Sequence, residues 1–285
     1  MSSIQRIVVV MSTNYAGSHL LSHLLSAHPK CFGVGEIHRY SQLLDDQSTA
    51  PVVAEYANNP IYRGLDRVPV AHWHSEIGRR IDADNPPVIV DNSKKVKWLN
   101  KIRGNPNYDI RLVHLLRDPR ALVARWFNTY TDKSKRRVQR LRVAKRMPRH
   151  SPEILTGNWE TVFIYKWLRE NIQVHEFVEA SGFKFARVTY RDLAFEAEDT
   201  LHRLMPTLDL MFDPAQLRFG ESDTLGTTKV DHAETVSRSE IKPDLKWQTQ
   251  LSPESRSQVE EHRVLNDFLS KLDLGFADNG LTRLT

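Results

Sequence analysis

The chain has 285 residues, of which 40% are hydrophobic and 26% are charged. This is the composition of an ordinary globular protein with a sizeable core, and it excludes a chain that is wholly disordered, collagen-like or coiled coil. No apolar run approaches the roughly 20 residues that cross a bilayer, so we expect a cytoplasmic protein without a transmembrane segment. The only cysteine is Cys31, which excludes an internal disulfide and a thiolate metal site.

Positive charge is concentrated in one part of the chain. The 40 Lys and Arg residues outnumber the 35 Asp and Glu residues, for a net charge of +5. Nine of the basic residues lie in Lys133–Arg149, called the basic segment below, which holds no acidic residue. The rest of the chain is mildly acidic, so the protein as a whole is not basic.

Apolar periodicity predicts alternating strands and helices. The apolar runs predict strands at Arg6–Met11, Cys31–Val34, Pro87–Asp91, Ile110–Leu116 and Phe183–Tyr190. Apolar side chains at helical spacing predict helices at Gly17–Ala27, from Arg120 onward, and at Asn158–Ala180, Asp199–Met205 and Pro253–Leu272.

This alternation is typical of an α/β fold in which helices cover both faces of a parallel sheet. We therefore predict a three-layer sandwich around a central parallel sheet of about five strands, formed by residues 1–285 as a single domain. The basic segment is predicted as a helical or loop insertion near residues 131–152. The spacing of Val138, Leu141, Ala144 and Met147 would give a helix there one apolar edge.

The first strand is followed by a loop and a helix, an arrangement that points backbone N–H groups at one spot and can bind phosphate. The Walker A motif of ATPases and GTPases would need Gly at Ser12, Lys at Ser18 and a hydroxyl at His19, and only Gly17 matches it. The segment therefore argues against a P-loop nucleotide kinase. From this segment alone, an ordinary turn without a ligand remains open.

Three other motifs place polar side chains just after predicted strands, where open α/β sheets bind ligands. Arg117 follows the fourth strand and could hold a phosphate with its guanidinium fork, or form only a surface pair with Asp118. Glu36 follows the second strand and could serve as a general base, or be an ordinary solvated carboxylate. Lys94 ends the third motif, Asp91-Asn92-Ser93-Lys94.

Taken in order, these motifs resemble those of the sulfotransferases that use 3′-phosphoadenosine 5′-phosphosulfate (PAPS), in particular the bacterial, carbohydrate and tyrosylprotein branches. The resemblance runs through nearly the whole chain, and the order of the motifs is more specific than any one of them. The matching segments are the first loop and helix up to His28-Pro29, then Gly35-Glu36, Asp91-Asn92-Ser93-Lys94, Arg117-Asp118-Pro119-Arg120-Ala121, Tyr190-Arg191-Asp192-Leu193, and Ser237-Arg238-Ser239 with Ile241-Lys242-Pro243.

The resemblance implies a P-loop type of nucleotide-binding fold, PAPS as sulfuryl donor, 3′-phosphoadenosine 5′-phosphate (PAP) as product, and no metal. It implies in-line transfer of the sulfuryl group to a hydroxyl or amine, with Glu36 as the base and with Lys94 and His19 also catalytic. The cofactor-binding residues that it implies are Thr13, Asn14, Tyr15, Ala16, Gly17, Ser18, His19, Arg117, Arg125, Tyr190, Ser239 and Lys242.

The sequence departs from the family pattern at Tyr15 and Ala16, where the family has a basic residue and Ser, and at Arg125, where it has Ser. Because Tyr15 carries no cation, Lys94 or a base from the basic segment would have to supply the missing charge. Arg125 could bind the 3′-phosphate through charge-assisted hydrogen bonds. The alternative is a catalytically impaired protein of the same fold that binds the cofactor without transferring sulfate.

The positive charge of the basic segment predicts what kind of molecule binds to it. It favours an acidic acceptor, such as an anionic saccharide or an acidic peptide, or a membrane surface, and a solvated helix or mobile loop remains open as well. Nucleic acid is disfavoured because the segment has no aromatic side chain for base stacking. The identity of the acceptor and the oligomeric state are left open.

Overall fold

The computed structural model describes residues 4–48, 50–221 and 240–284. Its central feature is a parallel five-stranded sheet in the order β2-β3-β1-β4-β5. The strands are β1 (Gln5–Ser12), β2 (Cys31–Gly35), β3 (Val88–Lys94), β4 (Tyr108–Leu116) and β5 (Lys184–Thr189). The predicted α/β class and parallel sheet are confirmed.

Helices connect and cover these strands. In chain order they are α1 (Ser18–Ser26), α2 (His38–Asp45), α3 (Pro51–Asn58), α4 (Trp73–Ile81), α5 (Val96–Ile102), α6 (Pro119–Thr129), α7 (Lys133–Arg146), α8 (Ser151–Thr156), α9 (Trp159–Ala180), α10 (Tyr190–Phe195), α11 (Ala197–Leu204), α12 (Trp247–Gln250), α13 (Pro253–Glu260) and α14 (Arg263–Lys271). An antiparallel hairpin follows, made of β6 (Leu274–Ala277) and β7 (Gly280–Arg283). Among the described residues, no helix has both the length and the apolar composition that a membrane span needs.

The central strand β1 shows why helices cover both faces of the sheet. Its side chains from Ile7 to Met11 are at most 1% exposed. Ile7 and Val9 pack in a cluster with residues of α4 and α5, whereas Val8 and Val10 pack in a second cluster with residues of α1. Burial of each such side chain contributes roughly 1.5–3 kcal/mol. The continuous apolar run therefore specifies a strand with a helical layer on either side, as predicted.

The strand order determines where a ligand can bind. The chain leaves β1 through α1 toward β2 on one side of the sheet, whereas it leaves β3 through α5 toward β4 on the other side of β1. Crossovers that diverge in this way open a crevice at the carboxyl ends of the strands. The residues that follow β1, β3 and β4 therefore gather at one edge of the sheet.

Some element boundaries differ from the predictions. β3 continues through Lys94, so the motif Asp91-Asn92-Ser93-Lys94 ends a strand and does not follow one. The helix predicted at Pro253–Leu272 is two helices, because the side chain of His262 accepts a hydrogen bond from the N–H of Leu265 and starts the second one. The β6–β7 hairpin was not predicted from the sequence.

Most of the basic segment forms α7, which begins after the capping side chain of Asp132. Val143 and Ala144 are the buried residues of this helix, whereas Val138 and Leu141 are more than half exposed. The helix is therefore confirmed, and the predicted apolar edge is wrong at Val138 and Leu141 but holds at Ala144 and at Met147, which is partly buried against the same cluster. The edge that packs is the one that faces α8 and α9, as the shared hydrophobic cluster shows.

Candidate functional site

A tight turn links β1 to α1 and forms one wall of the site. Tyr15 and Gly17 have φ angles of 68° and 94°, so the chain curls before α1 begins at Ser18. A Cβ atom on Gly17 would lie 2.4 Å from Cδ2 of Tyr190. Glycine is therefore required here by the backbone conformation and by the ring that packs on it. The first N–H groups of α1 point out of its N-terminal end, and the helix dipole gives the turn a positive potential.

Arg117, the first residue after β4, ties this turn to the sheet. Its Nη1 donates to the carbonyl of Tyr15 at 2.9 Å, and its Nη2 donates to Asp244 at 2.8 Å. Its guanidinium carbon lies 4.3 Å from the centroid of the Tyr190 ring. Its Nε–H is buried and has no hydrogen-bond partner among the described residues. An unpaired buried donor is costly, and a bound anion would satisfy it.

Two further cations reach the turn from outside it. The guanidinium carbon of Arg125 is 4.7 Å from the centroid of the Tyr15 ring, a cation–π distance. The Nζ of Lys95 donates to Oδ1 of Asn14 at 3.1 Å. The turn itself holds no basic residue besides His19 at its helical end, so its positive charge comes from neighbouring elements.

A cavity of about 470 Å³, called the turn cavity below, is bordered by Tyr15, Arg117 and Arg125 among others. The predicted cofactor residues that line it are Tyr15, Gly17, His19, Arg117, Arg125, Tyr190 and Lys242. Of the other predicted cofactor residues, Thr13, Ala16 and Ser18 are buried, Asn14 is exposed, and Ser239 lies outside the described residues. Lys242 is largely exposed and lies 3.5 Å from the carboxylate of Glu240.

Glu36, Lys94 and His19 come together where β2 and β3 end and α1 begins. The Nζ of Lys94 contacts Oε1 of Glu36, and Nε2 of His19 lies 3.4 Å from the same oxygen. The Nε of Arg39 lies 3.3 Å from the other oxygen. The Glu36 and Lys94 side chains are 11% and 5% exposed. The structure thus brings the three predicted catalytic residues into one cluster, and their catalytic roles stay predictions.

Asn92 orients His19 from the opposite side. The Nδ2 of this buried amide lies 3.2 Å from Nδ1 of His19. An amide donor at Nδ1 favours the tautomer with its proton on Nε2, which then donates to Glu36. Asn92 therefore holds the imidazole toward the carboxylate, a role that was not assigned from the sequence.

The cluster keeps the carboxylate of Glu36 ionised. Burial opposes ionisation, but the hydrogen bond from His19 and the charge of Lys94 outweigh it and hold the pKa of Glu36 far below its usual range. Burial also lowers the pKa of Lys94, and the charge of Glu36 only partly opposes this. A carboxylate with so low a pKa accepts a proton poorly. Glu36 must therefore lose a cationic partner before it can act as a base.

Backbone irregularities bring Glu36 and Lys94 together. The register of β2 against β3 and that of β1 against β3 both shift near the strand ends. At these shifts Gly35 and Lys94 have φ angles of 63° and 64°. A strained backbone conformation of this kind costs about 1–3 kcal/mol in a residue with a side chain. Lys94 adopts this strained backbone conformation while its ammonium group contacts Glu36. This points to a functional constraint on where the Lys94 ammonium group lies.

Asp91 anchors the end of β3 from within the core. Its fully buried carboxylate accepts a hydrogen bond from Nε1 of Trp98 at 2.7 Å and lies 2.8 Å from Nε2 of His74. It also accepts from the N–H of Ser93 at 2.8 Å, and Oγ of Ser93 accepts from the N–H of His38 at 3.1 Å. This network joins the end of β3 to the start of α2 and so fixes the two segments that hold Glu36 and Lys94.

Sequence reasoning missed three residues of the site besides Asn92: Arg39, Lys95 and Asp244. Lys95 follows the motif residue Lys94 directly, and this adjacency was the available signal. Asp244 carried no signal, because its contact with Arg117 joins segments 127 residues apart. Among the described residues, no group of His, Cys, Asp and Glu is placed to hold a metal ion.

Comparison with solved structures identifies the fold. The chain is similar to the sulfotransferase domain from the curacin biosynthetic pathway, with a TM-score of 0.62, 16% identity and coverage of 95% of this chain and 98% of that one. It is similar to the sulfotransferase domain from the Synechococcus PCC 7002 olefin synthase, with a TM-score of 0.60, 19% identity and coverage of 94% and 96%. No protein-family model and no curated protein matches the sequence. The chain therefore has the sulfotransferase fold, as the order of its motifs predicts.

Proposed function

We propose that this chain is a sulfotransferase that moves a sulfuryl group from PAPS to a hydroxyl or amine of an acceptor. Arg117 is the observation that carries the proposal. It lies at the carboxyl end of β4, stacks on Tyr190 and bonds to the turn after β1, and its buried Nε–H has no partner among the described residues. A cation so placed on a sulfotransferase fold is suited to an anionic nucleotide.

The residues of the turn cavity fit an adenosine nucleotide that carries two anionic groups. Arg117 and Arg125 offer guanidinium groups to a 3′-phosphate. The turn and the N-terminus of α1 offer backbone N–H groups to a 5′-phosphosulfate. Phe219 and Trp247 line the cavity and offer aromatic surface to adenine. The hydroxyl of Thr13, buried without a partner among the described residues, is one more polar group at the turn.

When bound, PAPS supplies an activated sulfuryl group, and by analogy with phosphoryl transfer the work left to the protein is mainly positioning and charge stabilisation. Lys95 reaches Asn14 of the turn and supplies the cation that Tyr15 lacks. Lys94 lies one residue away with a buried ammonium group. Both lysines are placed to stabilise negative charge that develops near the turn.

Glu36 is the group placed to accept the acceptor's proton. In the free protein it is paired with Lys94 and is a weak base. Movement of the Lys94 ammonium toward developing negative charge would remove this pairing and raise the pKa of Glu36. The proton would then pass to a carboxylate oxygen of Glu36, while His19, held by Asn92, continues to orient that carboxylate.

Calorimetric titration with PAP, with magnesium ATP as the control nucleotide, is the first test. Micromolar binding of PAP without binding of magnesium ATP would support the cofactor class. Binding of magnesium ATP alone would indicate a nucleotide kinase. Absence of PAP binding would overturn the proposal.

Turnover is tested with radiolabelled PAPS and a panel of hydroxyl and amine acceptors. Glu36→Gln is expected to lower kcat roughly 100-fold or more, since a general base contributes at least that factor, and to leave PAP affinity nearly unchanged. Glu198→Gln, an exposed change on α11, is the matched control. Full turnover in Glu36→Gln would place the base elsewhere, with His38 the next candidate.

The alternative of a catalytically impaired binding protein rests on Tyr15, which occupies the turn position where the family has a basic residue. That alternative predicts that the unmodified chain binds PAP and transfers no sulfate to any acceptor in the panel. Transfer to any acceptor would exclude it.

A further inference from the structure

A second cavity, larger than the turn cavity, is lined by residues of four helices and of the segment that follows β3. Its volume is about 1110 Å³, slightly above the usual range for small-molecule sites. It is called the basic cleft below. Its charged lining residues come from the end of β3 and from α2, α5, α7 and α9, and they are Asp45, Lys95, Lys97, Lys101, Arg142, Arg146, Arg169 and Glu176.

Positive charge in this cleft is only partly balanced by ion pairs among the residues that the structure describes. Lys101 is paired with Asp45 at 3.0 Å. In contrast, Arg142, Arg146 and Arg169 form no ion pair with any residue that the structure describes, although each lines the cleft. Three guanidinium groups that share a cavity without carboxylate partners attract an anion from solution.

The electrostatics of Arg169 show the same imbalance. Burial lowers the pKa of this guanidinium, and the nearby charges of Arg146 and Arg142 lower it further, against the opposing charge of Glu170. Glu170 is committed to Lys166, whose Nζ lies 2.8 Å from its carboxylate. An anion bound among the three arginines would relieve their mutual repulsion.

The opposite side of α7 uses its arginines differently. Arg140 donates to the carbonyl of Leu155 and stacks 4.3 Å from the centroid of the Trp159 ring, and Arg136 lies 5.7 Å from the same centroid. These two arginines pack the helix against its neighbours. The charge of the basic segment is thus divided, and only Arg142 and Arg146 are turned to the cleft.

The basic cleft is lined by residues that are close in the chain to Glu36 and Lys94. His38 and Lys95 line the cleft, and they are two residues from Glu36 and one residue from Lys94. The same Lys95 bonds to Asn14 of the turn. A molecule that fills the cleft therefore contacts chain neighbours of the carboxylate that would take its proton.

We propose that the basic cleft binds the acceptor and that the acceptor is an acidic saccharide, whose carboxylate or sulfate groups are held by Arg142, Arg146 and Arg169. This inference rests on the proposed function. The amides of Gln42 and Gln173, which also line the cleft, offer donors and acceptors to saccharide hydroxyls. Four of the fifteen lining residues are apolar, and the remaining eleven are polar or charged.

Calorimetry with a chondroitin sulfate tetrasaccharide as probe tests the inference, with the neutral chitotetraose for comparison. The charged probe is expected to bind the unmodified chain and the neutral one is not. The double variant R142Q/R146Q should weaken binding at least about tenfold, since it removes two charge-assisted contacts. The double variant R137Q/K145Q removes the same charge from exposed positions of α7 outside the cleft, and it should change the affinity by less than about twofold.

Three outcomes would overturn the inference: equal losses in the two double variants, equal binding of the neutral probe, or binding of a hexaglutamate peptide in place of the saccharide. Titration of R142Q/R146Q with PAP separates this inference from the proposed function, because its PAP affinity should be unchanged. If PAP binds and the tetrasaccharide does not, only the inference fails. If PAP binds to no form of the chain, the proposed function fails and the acceptor role of the cleft fails with it.

Discussion

Arg120 and the arginines of the basic cleft carry the same charge in opposite surroundings. Arg120 is 1% exposed, and its guanidinium group is bonded to the carboxylates of Asp118 and Glu260. Arg142 and Arg146 are exposed along the cleft and have no carboxylate partner among the described residues. Arg117 is intermediate, with one carboxylate, one carbonyl and an Nε–H that has no partner among those residues.

This difference shows how one residue type can serve either the scaffold or a ligand. A buried cation is tolerated only when carboxylates and carbonyls replace its water, and it is then part of the fold. A cation that the protein leaves unpartnered retains its attraction for an outside anion. The number of protein partners of an arginine, and not its charge, therefore separates scaffold from site.

The largest expected effect is a loss of stability when Arg120, the buried and paired arginine of this comparison, is replaced. Arg120→Ala leaves the carboxylates of Asp118 and Glu260 without their shared cation, so the free energy of unfolding should fall by about 3–5 kcal/mol. Urea denaturation measures this loss. Arg142→Ala is the control and should change stability by no more than about 0.5 kcal/mol. Similar losses in the two variants would break the comparison.

The next largest effect is expected on PAP binding, at Arg117, the intermediate case of the comparison. Arg117→Ala should weaken PAP binding by about 2 kcal/mol, or roughly 30-fold, as expected for lost charge-assisted hydrogen bonds. Calorimetry with PAP provides the measurement. Arg117→Lys keeps the charge but not the guanidinium fork and should give an intermediate affinity. Unchanged affinity in the alanine variant would remove Arg117 from the proposed phosphate site.

A smaller effect of opposite sign is expected at Asp244. Its carboxylate occupies Nη2 of Arg117 in the free protein, and so it competes with an incoming phosphate. Asp244→Asn removes this competing charge and should tighten PAP binding by about 1 kcal/mol, or roughly fivefold. If calorimetry shows weaker binding instead, Asp244 positions the arginine and does not compete for it.

The last expected effect is a pH dependence of the scaffold, and its size grows with acidity. His114 on β4 is fully buried, and burial lowers its pKa to about 3 despite the hydrogen bond with Asn171. Its pKa in the unfolded chain is near 6.5. Between these values only the unfolded chain takes up the proton, so stability falls as the pH drops from about 6.5 toward 3.

His114→Gln removes this proton uptake while an amide can still reach Asn171. The decline in Tm between pH 7 and pH 5 should therefore be shallower in the variant than in the unmodified chain. Thermal unfolding at several pH values gives the two slopes. Parallel slopes would show that His114 does not contribute to acid sensitivity.

Local patterns in the sequence were sufficient for the sheet and for the main site segments. The β-branched run before Met11 specified the central strand β1. The motif that ends at Lys94 and the motif that begins at Arg117 lie at the carboxyl ends of β3 and β4, the two strands next to β1. The contact of His19 with Glu36 was not predicted from the sequence, since it depends on the two register shifts that turn the strand ends.

Long-range pairing accounts for most of what could not be predicted. Asp244 engages Arg117 from a segment that is distant in the chain. The split of α7 into packing arginines and cleft arginines likewise depends on which segments pack against each side of the helix. Residue type and spacing within the basic segment carry no such information. The sequence showed that charge is concentrated there and could not show which arginines have partners.

Lys95 links the basic cleft to the turn after β1, since it lines the cleft while its ammonium group bonds to Asn14 of the turn. A ligand that binds the Lys95 ammonium group, in the cleft or at the turn, changes the positive charge that Lys95 offers to a ligand on the other side. By thermodynamic linkage, the resulting gain or loss of affinity is the same in both directions. Donor and acceptor would therefore not bind independently, and initial-rate patterns for the two substrates would record the size of that coupling.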